Sequence, residues 1–280
     1  MLQNVEITIL AENRVRRAGL RAENGLSLFI STSEGDYLFD TGARDAFLHN
    51  AETLDIDLGK KIDKIIFSHG HHDHTGGIHA YLKKFGKAAV ICHYNIFNRK
   101  FRVVNGGRLE VGLPYEEKDL IKMGGKFIYK THPFHLTENI LTTGEIPRIT
   151  DYEKPTQVHQ QMVLQDYITD DLHDDMALVL KTGKGLIILL GDCHSGPVNT
   201  VRYAAEITKT DKIYGIMGGM NLVEAPIDKI QQIVNGLQEF QPRYIIPLHS
   251  TGFRAMNQLY NTFGPERMLM LNTGDRFTVK

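Results

Sequence analysis

The sequence predicts an α+β fold in which helices cover β-sheets. Two patterns indicate this: short apolar runs that end in Gly or in Asp/His clusters, and stretches between them where apolar residues recur at helical spacing. The chain has 280 residues and shows no tandem repeat, low-complexity tract or obvious linker. A single domain over residues 1–280 is therefore the simplest prediction.

The apolar runs have the length and composition of strands. The predicted strands cover residues 5–10, 26–31, 37–39, 62–67, 88–92, 126–130, 176–180, 186–190, 213–217 and 244–248. Helices are predicted over residues 78–85, 227–237 and 256–263. The first ends at Gly86, the second follows Pro226, and the third stops at Gly264, all residues typical of helix boundaries.

The composition limits the classes of partner. Lys+Arg 32 against Asp+Glu 33 gives a net charge of -1, so no global field attracts nucleic acid, and a small molecule is the expected substrate. No run approaches the ~18 apolar residues of a membrane span. The N-terminal residues do not follow the order of a secretory signal, and two cysteines cannot make a disulfide framework. These observations favour a cytoplasmic protein and leave a homo-oligomer open.

The residues that indicate chemistry lie in the run 69–74, directly after a predicted strand. Four histidines and one aspartate fall within these six positions. Imidazole and carboxylate are ligands that suit Zn²⁺, Fe²⁺ and Mn²⁺. His69 and His71, two positions apart, can face one ion, and Asp73 and His74 can face a second. The sequence therefore predicts a site for two divalent metal ions, with zinc favoured and iron or manganese as alternatives.

Two other predicted strands end in the same way. Residues 186–190 lead into Asp192 and His194, and residues 244–248 lead into His249. A carboxylate such as Asp192 can bridge two cations and hold them ~3.5–4 Å apart, as in hydrolytic two-metal sites. The predicted metal ligands are His69, His71, Asp73, His74, Asp192, His194 and His249.

The order of these motifs resembles the metallo-β-lactamase fold superfamily. The His-x-His-x-Asp-His run at 69–74 is preceded by Phe-Asp-Thr-Gly at 39–42 and followed by Gly-Asp at 191–192 and by His249. The resemblance implies a four-layer αββα sandwich of two mixed β-sheets covered by helices, with the metals at one edge. It also implies that Asp40 orients the ligand loop without being a ligand.

A narrower resemblance concerns one branch of this superfamily. Segments 22–27, 143–148, 174–178 and 248–252 are similar to the dihydropterin–ribofuranosyl-aminobenzene phosphate synthase-like metal-dependent hydrolases. The chain departs from that branch at Asn221, where the branch commonly has His, and at Asp192, where the branch tends to have Cys. The second departure brings the site closer to the ordinary dinuclear pattern.

The resemblance implies a further histidine ligand for the first metal, and the sequence leaves its identity open. His132, His135, His159 and His173 lie where superfamily members usually supply it. His194 is favoured because it shares a strand-end loop with Asp192, and His173 comes next.

Residues 95–175 do not follow the regular pattern of the rest of the chain. They contain basic residues, paired glycines and a predicted hairpin around 126–140, so we expect a substrate-side insertion of the lid or binding-loop type. A solvated segment without a role is the alternative. Arg99, Arg102 and Arg108 can grip a phosphate group, since guanidinium matches that group bidentately. Weaker candidates for substrate contact are Glu145, Arg148 and Asn221.

The function predicted from these residues is metal-dependent hydrolysis in a dinuclear site. Asp73 is the candidate catalytic residue, accepting a proton as water attacks. A phosphoester or a pterin-like small molecule is the first substrate hypothesis, and a lactam, thioester or lactone would suit the same site. The alternatives are a synthase of dihydropterin or methanopterin type and a metal-binding protein without turnover.

Overall fold

Two large β-sheets and one small sheet organise the chain in a computed structural model, which describes residues 1–155 and 158–280. Their strands, numbered in chain order, are β1 Val5–Ala11, β2 Ser27–Thr32, β3 Gly35–Phe39, β4 Ile62–Ile66, β5 Ala88–Cys92, β6 Lys100–Val104, β7 Gly107–Glu110, β8 Gly125–Tyr129, β9 Phe134–His135, β10 Ile140–Thr142, β11 His159–Val163, β12 Asp166–Thr169, β13 Leu178–Thr182, β14 Gly185–Leu190, β15 Ile213–Gly218, β16 Tyr244–Pro247 and β17 Arg276–Val279.

The two large sheets are both mixed. The first has the order β17-β1-β2-β3-β4-β5-β8, antiparallel from β17 to β3 and parallel from β3 to β8. The second has the order β16-β15-β14-β13-β10-β9, with β14, β15 and β16 parallel. Parallel neighbours end at the same edge of a sheet, so the loops that follow them lie close together.

The packing of the core explains why predicted strands such as β14 are unbroken apolar runs in the sequence. In β14, Ile187 and Leu189 point into the cluster between the two sheets, while Leu186, Ile188 and Leu190 point to the cluster under the covering helices. A strand buried on both faces has no polar side to show in its sequence. A third apolar cluster lies between the first sheet and its own helices. These layers confirm the predicted αββα sandwich.

Helices cover the outer face of each sheet. They are α1 Ala46–Thr53, α2 Leu58–Lys61, α3 His72–Thr75, α4 Ile78–Phe85, α5 Glu117–Lys122, α6 Pro197–Thr208, α7 Ile227–Glu239 and α8 Phe253–Phe263. Helices α4, α7 and α8 match the predicted ones, and α4 ends on Gly86 at φ 71°, a backbone angle that favours glycine. The sequence patterns did not predict α1 or α6.

Residues 95–175 are not one continuous excursion. Strands β6, β7, β11 and β12 form the small sheet, in the order β12-β11-β6-β7. Strand β8 is instead the edge of the first large sheet, and β10 belongs to the second. The predicted hairpin around 126–140 is therefore wrong in its extent, because residues 126–129 pair with β5, while β9 and β10 form a shorter antiparallel pair in the second sheet. Single-domain organisation stays a prediction.

Two expectations about membranes and cysteines can be compared with the structure. Among the described residues, no helix has both the length and the apolar character needed to cross a membrane. Cys92 and Cys193 are both free and buried.

Candidate metal centre

The predicted ligand loops meet at one edge of the sandwich. The run 69–74 follows β4 of the first sheet, Asp192 and His194 follow β14 of the second, and His249 follows β16. A Cβ on Gly191 would lie 2.1 Å from Ser68 Oγ, so the absence of a side chain there lets the loops of the two sheets approach each other. The edge of the fold thus gathers side chains that are far apart in the sequence.

The first cluster contains three imidazoles and one carboxylate. His69 Nε2 lies 3.0 Å from His71 Nδ1, and His194 Nε2 lies 3.3 Å from both of these atoms. Asp192 Oδ2 is 3.5 Å from His194 Nε2. Two nitrogens that bind one ion tetrahedrally at ~2.0–2.1 Å are about 3.3 Å apart. The spacing of the first cluster therefore suits a single divalent cation.

The second cluster shares Asp192 with the first. Asp192 Oδ1 lies 3.2 Å from His249 Nε2 and 3.6 Å from His74 Nε2, and Asp73 Oδ2 lies 3.4 Å from His249 Nε2. Within each cluster the ligand atoms lie within 4.8 Å of one another. The two oxygens of Asp192 face different clusters, so this carboxylate could offer one oxygen to each of two cations.

Two buried atoms that make no hydrogen bond test whether a metal fits. His74 Nε2 and Asp192 Oδ1 are buried and have no hydrogen-bond partner among the described residues. A buried polar atom without a partner is costly, and a cation between the two would satisfy both. The donor set of imidazole and carboxylate therefore fits a pair of divalent cations.

Polar side chains behind the clusters hold the rings in place. Four imidazoles have their second nitrogen at hydrogen-bond distance from such a group: His69 Nδ1 at 2.9 Å from Ser68 Oγ, His74 Nδ1 at 2.7 Å from Asp40 Oδ2, His194 Nδ1 at 3.1 Å from the Asn221 amide, and His249 Nδ1 at 2.8 Å from Asn13 Oδ1. Such partners fix which nitrogen faces a metal. Sequence reasoning missed Ser68 and Asn13, although both lie just past an apolar strand.

Asp40 contacts the ligand loop as the family resemblance implies. Its carboxylate accepts hydrogen bonds from the Ser68 backbone N–H at 2.8 Å and from Ser68 Oγ at 2.7 Å, besides its contact with His74. Asp40 is fully buried and belongs to neither ligand cluster. It therefore orients the first part of the 69–74 loop from behind.

The electrostatics divide the histidines into two groups. Burial lowers the pKa of His69 and His71 well below the usual histidine value, so both rings are neutral. Burial also disfavours the charged form of His249, but Asp192 and Asp73 outweigh it and raise the pKa of His249 to about 9. The pKa of His74 is raised well above its usual value because Asp40 and Asp192 likewise outweigh its burial.

The structure resolves which candidate histidine lies with His69 and His71. His194 is in the first cluster, whereas His132, His135 and His173 are exposed. His159 is buried beside the cluster, with its ring centroid 5.3 Å from that of His71. The favoured candidate is the one that the fold brings into place, and its role as a ligand stays a prediction.

The weaker substrate candidates lie in different places. Asn221 lines a cavity of about 350 Å³ that opens onto both clusters. Glu145 instead contacts His93, at 3.0 Å, and Arg148 contacts the Leu172 carbonyl, at 3.2 Å. Neither is among the described residues that line the cavity. Their contact with substrate stays a prediction.

The three candidate arginines are also separated. Arg99 makes a bidentate pair with Glu110, at 2.7 and 2.8 Å, and Arg108 lies 4.0 Å above the Tyr167 ring. Arg102 alone of the three lines the cavity at the clusters. The arginines therefore do not form one phosphate-binding group.

Adjacent carboxylates at 174 and 175 support the two halves of the first cluster. Asp174 Oδ2 accepts the Gly70 N–H at 2.8 Å, between His69 and His71, and Asp175 Oδ2 accepts the Ser195 N–H at 2.7 Å, next to His194. Lys100, fully buried, donates to the other oxygen of Asp174 at 3.0 Å and keeps this carboxylate ionised. Asp174 and Asp175 thus each hold the backbone of one ligand loop.

We expect Asp175→Ala to weaken metal binding at the first cluster by about 10- to 100-fold, the usual cost of losing a group that orients ligands. The reason is that the Ser195 N–H loses its acceptor and the His194 loop is no longer fixed. Competition titration with a chromophoric chelator measures the effect. Asp171→Ala is the matched control, because Asp171 is exposed in the same segment. Equal affinities for both variants would contradict the supporting role of Asp175.

The chain is similar to known proteins over most of its length. The family model for the metallo-beta-lactamase superfamily matches residues 20–171, and the chain belongs to this superfamily. The chain is 31% identical over 276 residues to the 7,8-dihydropterin-6-methyl-4-(beta-D-ribofuranosyl)-aminobenzene-5'-phosphate synthase of Methanocaldococcus jannaschii, covering 94% of this chain and 92% of that protein. The predicted resemblance to the superfamily and to this branch is confirmed.

Solved structures show the same fold. The crystal structure of Tm1679, a metal-dependent hydrolase of the beta-lactamase superfamily, has a TM-score of 0.84 and 25% sequence identity, covering 98% of this chain and 99% of that one. The short form of human tRNase Z has a TM-score of 0.54 and 12% identity, covering 97% and 98% of the two chains, and shows a likeness of fold alone.

Proposed function

We propose that this protein is a metal-dependent hydrolase that uses two divalent cations. The observation that carries the proposal is the position of Asp192, whose two carboxylate oxygens face two separate ligand clusters. The first cluster would be held by His69, His71 and His194, and the second by Asp73, His74 and His249. Zinc is the favoured metal, with iron and manganese as alternatives.

The residues of the site divide the chemical work. When bound, two cations lower the pKa of a coordinated water and polarise a carbonyl or phosphoryl oxygen. Asp73 borders the cavity and is less deeply buried than the neighbouring histidines, so its carboxylate can accept the proton of an attacking water. Contacts with His249 and His74 outweigh the effect of burial and keep the pKa of Asp73 below its usual value.

The substrate class follows from the cavity and from the relatives. We assign a phosphoester or a phosphorylated pterin-like small molecule, because Arg102 lines the cavity and because one relative is named for a pterin and a phosphate. The similarity to Tm1679, named as a metal-dependent hydrolase, supports hydrolysis. A small-molecule substrate and a cytoplasmic location are parts of the same proposal.

A synthase is the second candidate, and a specific observation favours it. The relative that is 31% identical across most of this chain is named as a synthase. In that case the same cations would act on the joining of an aromatic amine to a pterin. A metal-binding protein without turnover is the third candidate.

Elemental analysis and a substrate panel test the proposal together. Protein purified without chelators is expected to hold two metals per chain and to hydrolyse a phosphodiester or phosphomonoester from the panel. Two metals with synthase turnover and no hydrolysis would favour the second candidate, and two metals with no turnover would favour the third. A single metal at saturating supply, unchanged in Asp192→Asn, would contradict the dinuclear site.

We expect His74→Ala to lose about one equivalent of metal and to keep its fold. The reason is that His74 belongs to the second ligand cluster and not to the first, and lies at the edge of the sandwich outside the apolar core. Elemental analysis and circular dichroism measure the two effects. His132→Ala is the control, because His132 is exposed and outside both clusters. Loss of both equivalents in His74→Ala would show that the clusters are not separable.

A further inference from the structure

One buried histidine lies beside the first cluster without belonging to it. His159 is the first residue of β11, and it is only 4% exposed. Its ring stacks on that of His71 and lies edge-on to that of His194, with centroids 5.5 Å apart in the second pair. His159 Nδ1 has no hydrogen-bond partner among the described residues. Packing alone would not require a polar ring here, since phenylalanine fills the same space.

The small sheet places an arginine next to this histidine. Strands β11 and β6 are antiparallel, and His159 is directly opposite Arg102 in their register. Side chains of directly opposed residues lie on the same face of a sheet, at neighbouring positions. Both residues line the cavity that opens onto the two clusters. The small sheet thus presents one guanidinium and one imidazole to the metal centre.

The charges in the cavity show what this pair can bind. Arg102 is the one Arg or Lys among the described residues that line the cavity. It pairs with Glu224, which also lines the cavity, but a guanidinium has five N–H donors and can serve a second anion. The imidazole of His159 offers at least one N–H donor in either protonation state.

We propose that Arg102 and His159 form a subsite that binds a phosphate group of the substrate next to the two clusters. This inference rests on the proposed function and names the part of the substrate that the metal ligands do not hold. A phosphate oxygen can accept from the guanidinium while another accepts from the imidazole. The subsite would orient a phosphorylated small molecule over Asp73 and Asp192.

Binding of inorganic phosphate to zinc-loaded protein, measured by calorimetry, tests the subsite. We expect Arg102→Gln to weaken phosphate binding about 10- to 100-fold, the range for losing a hydrogen bond to a charged group. His159→Phe keeps the stacked ring, removes its polar atoms, and is expected to weaken binding about tenfold. The metal content of both variants should equal that of the wild type. Acetate is the second probe. If the variants lose more affinity for acetate than for phosphate, the assignment to phosphate is overturned.

Two control variants separate binding from structural effects. Arg108→Gln removes an arginine of the same sheet that lies outside the cavity, and we expect a change in phosphate affinity of less than about twofold. Glu224→Gln breaks the same ion pair as Arg102→Gln but leaves the guanidinium, so phosphate affinity should be retained or increase. If Glu224→Gln loses as much phosphate affinity as Arg102→Gln, the subsite is overturned. The Arg102–Glu224 ion pair would then have a structural role only.

The outcomes distinguish failure of this inference from failure of the proposed function. If the wild type holds two metals and hydrolyses phosphoesters, but both Arg102→Gln and His159→Phe bind phosphate like the wild type, the inference is wrong and the proposed function stands. If the wild type takes up no metal, the proposed function fails. Phosphate binding by the metal-free protein then tests the subsite separately. Binding that is weakened in Arg102→Gln supports the subsite, and binding that is unchanged in Arg102→Gln overturns it.

Discussion

Asp192→Asn is expected to lower metal affinity at both clusters and to reduce kcat/KM roughly 10³-fold, which corresponds to several kcal/mol of lost stabilisation. The reason is that one oxygen of Asp192 lies 3.5 Å from His194 Nε2 and the other lies 3.2 Å from His249 Nε2. An amide has the same shape but no charge and only one oxygen, so it cannot serve both cations. Elemental analysis and steady-state kinetics measure the two effects.

The control for this variant is Asp211→Asn, an exposed position just before β15, at the end of the second sheet opposite to the clusters. It should keep two metals and wild-type kinetics, because exposed charges contribute little. Retention of two tightly held metals in Asp192→Asn would contradict a bridging role for this carboxylate. Loss of one metal alone would assign Asp192 to a single cluster.

The two clusters should differ in how their metal binding depends on pH. A histidine must be neutral to bind a metal, so a ring that is protonated beforehand releases its proton on binding. His249, with a pKa of about 9, and His74, with a pKa well above its usual value, are protonated at pH 7. His69 and His71 are already neutral. Metal uptake by the second cluster should therefore release protons, and uptake by the first should release few.

The direction of the pH dependence follows from these shifts. A raised pKa means that the folded, metal-free protein is stabilised by the bound proton. For His249 this stabilisation is complete below ~6.5, the value of an unperturbed histidine, and it is lost as the pH rises through about 9. Competition between proton and metal falls over the same interval. The affinity of the second cluster should thus rise at least about tenfold per pH unit from ~6.5 to ~9, and that of the first should stay nearly constant.

Chelator competition at several pH values measures these affinities, and calorimetry in buffers of different ionisation enthalpy counts the protons released. His249→Ala removes a ligand together with a titrating ring, so the proton release of the second cluster should be lost with its metal, while the first cluster should release as few protons as before. Equal pH dependence of metal affinity at the two clusters would show that the neighbouring carboxylates do not keep the rings of His74 and His249 protonated.

The sequence alone determined the parts of this protein that depend on neighbouring residues. The strands buried on both faces, such as β14, appear as continuous apolar runs because both of their sides contact apolar layers. The ligand run at 69–74 and the residues Asp192 and His249 were recognisable because each comes just after a strand that ends in buried apolar residues. The local pattern carries this information, and the family resemblance depends on the same positions.

The tertiary structure decided what depends on pairing between distant segments. Strands β7 and β12 are exposed along their whole length, so no apolar periodicity indicated them, and the predicted hairpin around 126–140 was divided between two sheets. The position of His159 beside His71 depends on the register that places it opposite Arg102. A shift of one residue in that register would turn the imidazole to the other face. Only the folded arrangement of β6 and β11 fixes the register, because it depends on which distant segments pair.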